Sequence, residues 1–414
     1  MPANIERLSL HLDTHMPEYL ELLRRMVEIN SFTTNGQGVN RLARATALAF
    51  ADLGFSSDVI SSDRPDIGDH LVLSKPGDHE SDGPTIAMIS HLDTVFSAEE
   101  QERNNFYWRP EGDRIYGPGT VDIKGGTAMI YMVMSAMEAL YPEISRRTNW
   151  LVLFNAAEET LEHEFGLAAR SIIPTSALAC LVFEGGRIRG DRFSIVAARK
   201  GMATYQITAE GKAAHAGSSH KRGANAITQL ARTVNTVAGM TDYEREITFN
   251  VGTFEGGTVI NRVPHRAVAY GEMRAHSPEL LDEGIKRLLA LSENTTIHSH
   301  TGDYACSVNV DIMRRWGPWP PNSASDGLLV YWKKAAEEMG AEIVREERGG
   351  LSDGNFLWDH VPTLDGLGPS GGNAHCSERS PDGKKDQEYL VLPSLAPKAI
   401  LNTQAILHLL GSSL

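Results

Sequence analysis

The sequence predicts an α/β fold, in which a mixed-sheet domain with helices on both faces is interrupted by an inserted two-layer α+β domain. Three observations support this. The chain has 414 residues, more than one hydrophobic core usually serves. Short apolar runs alternate with helical patterns in the first half, as in an α/β sheet. The pattern changes near residue 198 and returns after a proline-rich segment at 316–322, which indicates an insertion.

The first half begins with two helical patterns and then alternates strands with helices. In the first helix, Leu20, Leu23 and Met26 share one face, as in a surface helix packed on a core. The predicted helices of this half are 16–29, 40–53, 126–141 and 166–171, and the predicted strands are 69–73, 85–90, 150–156 and 179–183.

The middle of the chain has a β-α-β-β-α order, which is typical of a compact two-layer unit. Its predicted strands are 202–210, 247–254 and 267–274, and its predicted helices are 224–237 and 278–291. The prolines of 316–322 cannot continue a helix or a central strand. Helices at 325–339 and 394–410 then complete the first domain. We therefore assign residues 1–197 and 315–414 to that domain and 198–314 to the insertion.

Composition excludes several classes of partner. Hydrophobic residues make up 41% and charged residues 22%, as in ordinary globular proteins. The net charge of −14 argues against binding to nucleic acid or to an anionic membrane surface, so we expect a small-molecule substrate. The three cysteines are widely spaced and suggest no disulfide framework, which fits a cytoplasmic protein. The amino terminus lacks the pattern of a signal peptide, and the longest apolar run, 127–140, is too short to span a bilayer.

Polar residues stand at the ends of the predicted strands, first in 86–95, IAMISHLDTV. This apolar run ends in His91 and Asp93, which should project together into the crevice at the carboxyl end of the strand. Imidazole is a good ligand for zinc-like metals, and a carboxylate can hold its second ring nitrogen. Alone, the pair fits a structural role at least as well.

Three further carboxylates repeat the pattern. Asp122 lies in the glycine-bracketed turn YGPGTVDIKGG before a helix, where it could offer both oxygens to an ion or cap the helix. Glu158 and Glu159 end the strand WLVLFNAA. Adjacent carboxylates repel each other unless they share a cation or a proton, and one can bind metal while the other handles a proton.

A glutamate and a histidine complete the set of candidate ligands. Glu184 ends the strand ALACLVFE, and His375 lies in the glycine-rich loop GPSGGNAHCSE. Either residue alone is more often structural or solvated than a ligand. Together, the nitrogen and oxygen ligands suit zinc, cobalt or manganese, and five of them imply two metals if one carboxylate bridges. The five are His91, Asp122, Glu159, Glu184 and His375.

In their order along the chain, these motifs resemble those of the M20 metallopeptidase family, particularly its glutamate carboxypeptidase and aminoacylase branch. The resemblance runs from about residue 22 to 409, through SHLDTV, YGPGTVDIKGG, NAAEET, GKAAHAG, NVGTFEGGTVINRVP and GGNAH. It implies that His91, Asp122 and Glu184 bind one metal ion and that Asp122, Glu159 and His375 bind the other. Zinc is the expected metal, with cobalt or manganese as alternatives.

Two residues near the metals are then left for catalysis. Glu158, which is not needed as a ligand, would accept the proton of a water molecule and pass it to the departing amine; a structural role is the alternative. Asp93 would orient His91. The resemblance also makes 1–197 and 315–414 the catalytic, metal-binding domain and 198–314 a lid and dimerisation domain.

The inserted domain carries the remaining candidates. The family uses the histidine that matches His215, reaching across a homodimer, to stabilise the oxyanion, although from the residues alone His215 is an ordinary surface histidine. Asn261 and Arg274 match positions that grip the substrate carboxylate in the family, a task suited to the fork of an arginine. A strand-end ion pair is the alternative for Arg274.

The sequence departs from the family pattern at several positions. Glu272 replaces the usual aspartate of Asp-x-Arg, and His220 replaces a frequent proline. A polar insert at 376–387 separates His375 from Glu388, a residue that the family commonly has shortly after its last histidine. Because this insert borders the site, it could alter specificity. Cys376, beside His375, is expected to be a buried free thiol rather than a ligand.

We therefore expect a dinuclear metal amidohydrolase that cleaves an amide bond beside a free carboxylate and releases an amino acid. A carboxypeptidase is the main reading, and a deacylase of N-acyl amino acids, similar to acetylornithine deacetylase or succinyl-diaminopimelate desuccinylase, is the alternative. A mononuclear enzyme and a catalytically silent dimeric binding module are the remaining possibilities.

Overall fold

The computed structural model describes residues 2–78, 83–160 and 163–411. The chain divides into two compact units. The first comprises Met1–Ala197, Pro321–Glu347 and Ser352–Leu414, and the second comprises Ala198–Pro320 and Arg348–Leu351. The second unit ends at Pro320 and not at the expected residue 314, because a strand that the sequence pattern did not indicate, at 307–316, belongs to its sheet.

The helices and strands follow in chain order. The first segment contains α1 (Ala3–Val27), α2 (Gly36–Ala51), β1 (Ser56–Ile60), β2 (His70–Lys75), β3 (Thr85–His91), α3 (Ala98–Arg103), β4 (Arg109–Glu111), β5 (Arg114–Tyr116), α4 (Lys124–Leu140), α5 (Pro142–Arg146), β6 (Asn149–Asn155), α6 (His163–Ile172), β7 (Ala179–Val182), β8 (Ile188–Arg189) and β9 (Arg192–Arg199). The insertion contains β10 (Gly201–Glu210), β11 (Ala214–His215), α7 (Ala226–Ala238), β12 (Thr248–Gly256), β13 (Arg262–Val263), β14 (Arg266–Ala275), α8 (Pro278–Leu289) and β15 (Ser307–Trp316). The last segment contains α9 (Ser323–Glu338), β16 (Glu342–Arg348), β17 (Thr363–Leu364), β18 (Gly371–Gly372), β19 (Tyr389–Val391) and α10 (Leu395–Gly411).

The first unit is built on a mixed six-stranded sheet in the order β1-β2-β6-β3-β7-β17. The two strands at one edge pair antiparallel, whereas β6, β3, β7 and β17 run parallel. Side chains of β3 alternate between the faces: Ile86 and Met88 pack in the cluster with α1, α4 and α10, and Ala87 and Ile89 pack in the cluster with α6. Both faces are therefore covered by helices, which confirms the predicted fold class.

Two smaller sheets complete this unit. One has the order β16-β9-β8, and the other, with antiparallel strands, has the order β18-β19-β5-β4. The second small sheet brings the segment after the 376–387 insert beside residues 109–116. Its strands are two or three residues long, too short to produce a periodic pattern in the sequence.

The second unit has two layers. Its antiparallel sheet has the order β12-β14-β10-β15, and α7 and α8 pack on it through an apolar cluster. A separate two-stranded ladder joins β11 to β13. The helices begin at side-chain caps, since Asn225 accepts the N–H of Thr228 and Ser277 accepts that of Leu280.

Within the described ranges, no helix has both the length and the apolar character that crossing a membrane requires.

Candidate metal centre

The centre lies at the carboxyl ends of the parallel strands β6, β3 and β7. In this sheet His91, the last residue of β3, pairs with Asn155 at the end of β6, and Ile89 pairs with Val182 at the end of β7. The acidic residues that follow β6 and β7 therefore emerge beside His91. This is the edge at which parallel sheets collect ligands.

His91 is buried and makes contacts through both ring nitrogens. Its Nδ1 lies 3.0 Å from the main-chain oxygen of Asp93, which assigns the proton to that nitrogen. Its Nε2 lies 3.1 Å from Oδ1 of Asp122 and 3.7 Å from Oε1 of Glu184. The nitrogen that faces the carboxylates is thus the one free to bind a metal.

Asp122 lies between the two histidines. Its Oδ1 faces His91, and its Oδ2 lies 3.3 Å from Nε2 of His375. The N-cap residue of α4 is Ile123 and makes no side-chain capping bond, so the helix-cap interpretation of Asp122 does not describe the structure. Helix α4 approaches closely here, because a Cβ at Gly126 would stand 2.0 Å from the carbonyl oxygen of Phe183.

His375 reaches the centre from a strained loop. Its φ is 66°, an unfavourable angle for a non-glycine residue that persists where the surroundings hold it. Its Nε2 lies 3.2 Å from Oε2 of Glu159. The structure therefore forms two sets that share Asp122: one contains His91 and Glu184, and the other contains Glu159 and His375.

The arrangement fits divalent metal ions. Ligand atoms of His91, Asp122 and Glu159 lie within 4.8 Å of one another. Oε1 of Glu159 is buried and has no hydrogen-bond partner among residues 2–78, 83–160 and 163–411, which is costly for a carboxylate unless a cation binds it. The mixed imidazole and carboxylate ligands suit zinc, cobalt or manganese.

Burial and neighbouring charges shift the pKa values of the histidines and of the carboxylates in the centre. Hydrogen bonds to Asp122 and Glu159 raise the pKa of His375 to about 11. At Asp122, burial alone would raise the pKa. The hydrogen bonds from His375 and His91 outweigh burial and lower the pKa of Asp122 below its ordinary value. Burial raises the pKa of Glu159. In the metal-free chain, protons on the histidines thus occupy positions that cations could take.

Asp93 ties the strand ends together. Its Oδ1 accepts the N–H of Glu158 at 3.0 Å, and its Oδ2 accepts the N–H of Glu159 at 3.2 Å. The hydroxyl of Thr33 donates to the same Oδ2 at 2.7 Å. Both glutamates belong to a 3₁₀ turn, Glu158–Thr160, so Asp93 fixes this turn relative to His91.

Glu158 is buried, and among the described residues it forms no ion pair with a histidine, unlike its neighbour Glu159. Burial raises its pKa well above the ordinary value, and the negative charges of Glu184 and Asp353 raise it further, whereas His91 opposes the shift. A buried carboxylate with a raised pKa holds a proton more readily than an ordinary glutamate does, which suits a group that accepts and then donates a proton.

The structure adds three buried residues to this region for which the sequence predicted no role. Thr33 contacts Asp93, as described above. Asp353 accepts a hydrogen bond from Asn155 at 2.8 Å, and burial raises its pKa to about 7. Glu388 accepts the N–H groups of Val121 and Asp122, and burial raises its pKa to about 8. The strand-end placement of Asn155 and the family match of Glu388 were the available signals.

Cys376 is free but partly exposed, so the expectation that it is buried was wrong: its loop lies at the surface.

Two candidates of the inserted unit lie together. His215 in β11 pairs with Arg262 in β13, and the N–H of Ala216 donates to the carbonyl of Asn261. Both His215 and Asn261 are exposed. The N–H groups of Gly217 and Ser218 donate to Nδ1 of His215 at 3.1 and 3.2 Å, so its Nε2 is left as a hydrogen-bond donor. A cavity of about 510 Å³ opens beside this ladder.

Arg274 lies elsewhere in the same unit. Arg274 is near the end of β14, whereas the β11–β13 ladder lies near Arg266, at the start of that strand. In an extended strand these two residues are about 27 Å apart. Its Nε and Nη2 donate to Glu272 at 2.9 and 3.1 Å, and its Nη1 donates to the carbonyl of Gly349. These bonds use three of its five N–H groups. The strand-end ion pair is therefore present, and a substrate carboxylate would have to use the other N–H groups or open this pair.

Comparisons with known proteins give consistent similarities. Residues 197–299 match the family model of the peptidase dimerisation domain M20_dimer. Carboxypeptidase G2 from Pseudomonas sp. (strain RS-16) is 26% identical over 374 residues, which cover 87% of this chain and 83% of that protein. Succinyl-diaminopimelate desuccinylase from Hydrogenovibrio crunogenus is 24% identical over 378 residues, which cover 87% and 93%.

A solved structure shows the same fold. It is the M20 family metallo-carboxypeptidase Sso-CP2 from Sulfolobus solfataricus, with a TM-score of 0.68 and 18% identity, and the match covers 95% of this chain and 99% of that one. At this identity the likeness concerns the fold alone.

Proposed function

We propose that this chain, which belongs to the M20 metallopeptidase family and is a metallo-hydrolase of amide bonds, releases an amino acid by cleaving an amide bond beside a free carboxylate. One observation carries the proposal. Two proposed ligand sets share Asp122, and a buried glutamate, Glu158, follows the same strand end and forms no ion pair with a histidine among the described residues. Carboxypeptidase-like action on short peptides or N-acyl amino acids is the reading that we favour.

Two divalent ions, which we propose to be zinc, would be held by the five ligands of the shared sets. When bound, such ions acidify water and polarise an amide carbonyl. In each proposed set, Nε2 of the histidine lies 3.1 to 3.7 Å from the carboxylate oxygens, so the fold already brings the proposed ligands together. A mononuclear enzyme remains the alternative, and the metal content at full activity distinguishes the two.

Glu158 would move the proton in this reaction. Its raised pKa lets the carboxylate take a proton from the attacking water and then give it to the nitrogen of the departing amine. Asp93 would support both steps, because it holds the N–H of Glu158 and the main chain of Glu159 in one turn. The hydroxyl of Thr33 fixes the orientation of Asp93 in turn.

The inserted unit would complete the substrate site in a homodimer. Its match to a peptidase dimerisation domain supports the dimer. His215 is exposed and presents Nε2–H as a donor, the property that stabilisation of an oxyanion requires. Asn261, on the adjoining strand, would bind the substrate carboxylate. We propose the same for Arg274, with the ion pair to Glu272 as the competing interaction.

Deacylation of N-acyl amino acids is the second candidate function, favoured by the similarity to a desuccinylase over 87% of this chain. A catalytically silent binding module is the third, but all five proposed ligands and Glu158 are present in the sequence. The discriminating test is hydrolysis of a panel of N-acetyl amino acids, N-acyl glutamates and dipeptides by metal-stripped enzyme reloaded with zinc, cobalt or manganese. We expect metal-dependent release of a free amino acid, and the preferred substrate separates the first two functions. Two bound metals without any hydrolysis would contradict both.

A mixing experiment tests the proposed dimer. His215→Ala should lower turnover by about 10²–10³-fold, as loss of an oxyanion donor does. Co-expression of His215→Ala with Glu158→Gln should restore about one quarter of the wild-type activity, because half of the random dimers carry one site with both residues intact. No recovery, with mixed dimers shown to form, would mean that His215 acts within its own chain.

A further inference from the structure

Glu388 is a buried carboxylate that the proposed reaction does not use. It is 0% exposed and follows the polar insert 376–387. Its Oε1 accepts two main-chain N–H groups, from Val121 at 2.9 Å and from Asp122 at 3.1 Å. Two neighbouring N–H groups aimed at one oxygen fix the main chain at the residue that both ligand sets share.

The backbone of Glu388 holds the other side of the centre. Its N–H donates to the carbonyl of Cys376, the residue after His375, at 2.7 Å, and its carbonyl accepts the N–H of Gly117 at 3.4 Å. One residue thus joins the loop of Asp122 to the loop of His375. Those two side chains lie 3.3 Å apart in the centre.

Hydrogen bonds fix the conformation of the insert 376–387, and this conformation places Glu388 beside the Asp122 turn. Arg379 makes two bonds of 2.9 Å to Glu111, and Asp386 accepts bonds from Arg114 and Tyr116 at 3.0 Å. The buried side chain of Gln387 donates to the carbonyls of Asn104 and Ser377 at 2.9 Å. These contacts hold both ends of the insert against residues 104–116, so Glu388 can reach the Asp122 turn in spite of the inserted residues.

Packing alone does not explain a glutamate at position 388, because burying a carboxylate costs free energy. Its Oε2 is buried and has no hydrogen-bond partner within the part of the chain that the structure describes, and an apolar side chain would avoid that cost. Lys124, whose Nζ donates to the carbonyl of Ile29 at 2.9 Å, interacts electrostatically with Glu388, although burial lowers the pKa of this lysine to about 7. The two N–H bonds to the Asp122 turn are the interactions that an apolar residue could not make.

We propose that Glu388 is a positioning residue, which holds the Asp122 turn and the His375 loop at the separation that metal binding requires. The inference rests on the metal ions of the proposed function. It assigns Glu388 the role of a hydrogen-bond acceptor, so the oxygen and its reach matter and the negative charge does not.

Three substitutions at this position separate reach from charge. Glu388→Gln keeps an oxygen at the same distance and removes the ionisable group. Glu388→Asp keeps an ionisable carboxyl group and withdraws its oxygens by one methylene. Glu388→Ala removes both. The matched control is Ile115→Ala, which removes a buried side chain from β5, directly opposite Leu390 in the same small sheet, at a position outside the sequence of either loop.

The measurement is the affinity of the metal-free chain for zinc and for cobalt, determined by competition with a chromophoric chelator below the melting temperature of each variant. Glu388→Ala and Glu388→Asp should bind about 10–100-fold more weakly, as loss of an outer-shell partner does, and Glu388→Gln should stay within about threefold. Ile115→Ala should lower Tm and leave the affinity unchanged.

The outcomes separate this inference from the function on which it rests. Wild-type affinity in Glu388→Asp, or weaker binding in Glu388→Gln than in Glu388→Asp, would overturn the positioning role even if Glu388→Ala fails to fold. Equal weakening in Ile115→Ala would also overturn it, because fold stability alone would then explain the effect. A wild-type chain that binds no divalent ion would instead refute the proposed function, and the inference with it.

Discussion

Glu158→Gln should lower the rate of amide hydrolysis by about 10²–10⁴-fold, the range that a positioned general base contributes, while two metal ions per chain are retained. The amide has nearly the shape of the carboxyl group but cannot accept the proton of the attacking water. KM should change little, because Glu158 acts in the transition state. Initial rates and metal content of the same preparations provide the measurement.

The adjacent residue supplies the matched control for this prediction. Glu159 contacts His375 through Oε2, and its Oε1 is buried without a partner, so Glu159→Gln should lose metal together with activity. If Glu158→Gln lost metal to the same extent, Glu158 would be a ligand. If it kept most of the activity, another group would have to be the base.

Glu158→Gln should also change the stability of the folded chain. Burial raises the pKa of Glu158 in the folded chain, so the folded state binds this proton more tightly than the unfolded state does. Stability from this group is therefore lost as the pH rises above the ordinary glutamate value towards the raised one. Glu158→Gln removes that loss, so metal-free Glu158→Gln should melt at a higher temperature than the metal-free wild type at pH 8.

The strand ends of the centre could be predicted from the sequence because each follows an apolar run with a polar residue. In a parallel sheet such ends meet at one edge, so the proximity of His91, Glu159 and Glu184 follows from the strands. Glu388 gave no such signal. Its role depends on a small sheet of two- and three-residue strands, which bring together segments far apart in the sequence.

Strand β15 was not predicted from the sequence for a different physical reason. In β15, SVNVDIMRRW, the alternation of buried and exposed positions is lost after Ile312, where exposed Met313, Arg314 and Arg315 follow each other. A register shift between Thr204 and Tyr205 of the neighbouring strand accompanies this change. An edge strand can carry such residues because one of its sides has no partner strand. Periodicity therefore failed where the sheet itself is irregular.

Asp122→Asn should abolish metal binding at both sets and, with it, hydrolysis. Asp122 is the one side chain of the described centre with one oxygen at His91 and the other at His375, so its loss removes a ligand from each set. The affinity should fall by more than the 10–100-fold that loss of an outer-shell partner costs. Asp69→Asn, which alters an aspartate bonded to Asn40 outside the centre, is the control and should bind metal normally.

The stability effect of Asp122→Asn should be opposite in sign to that of Glu158→Gln. Hydrogen bonds from both histidines lower the pKa of Asp122 in spite of its burial, so its carboxylate stabilises the folded chain above the ordinary aspartate pKa, and this contribution is lost as the pH falls through the lowered value. Metal-free Asp122→Asn should therefore melt below the metal-free wild type at pH 8. Equal shifts of the same sign in both variants would show that the two carboxylates share one environment, and the separation of ligand from base would then fail.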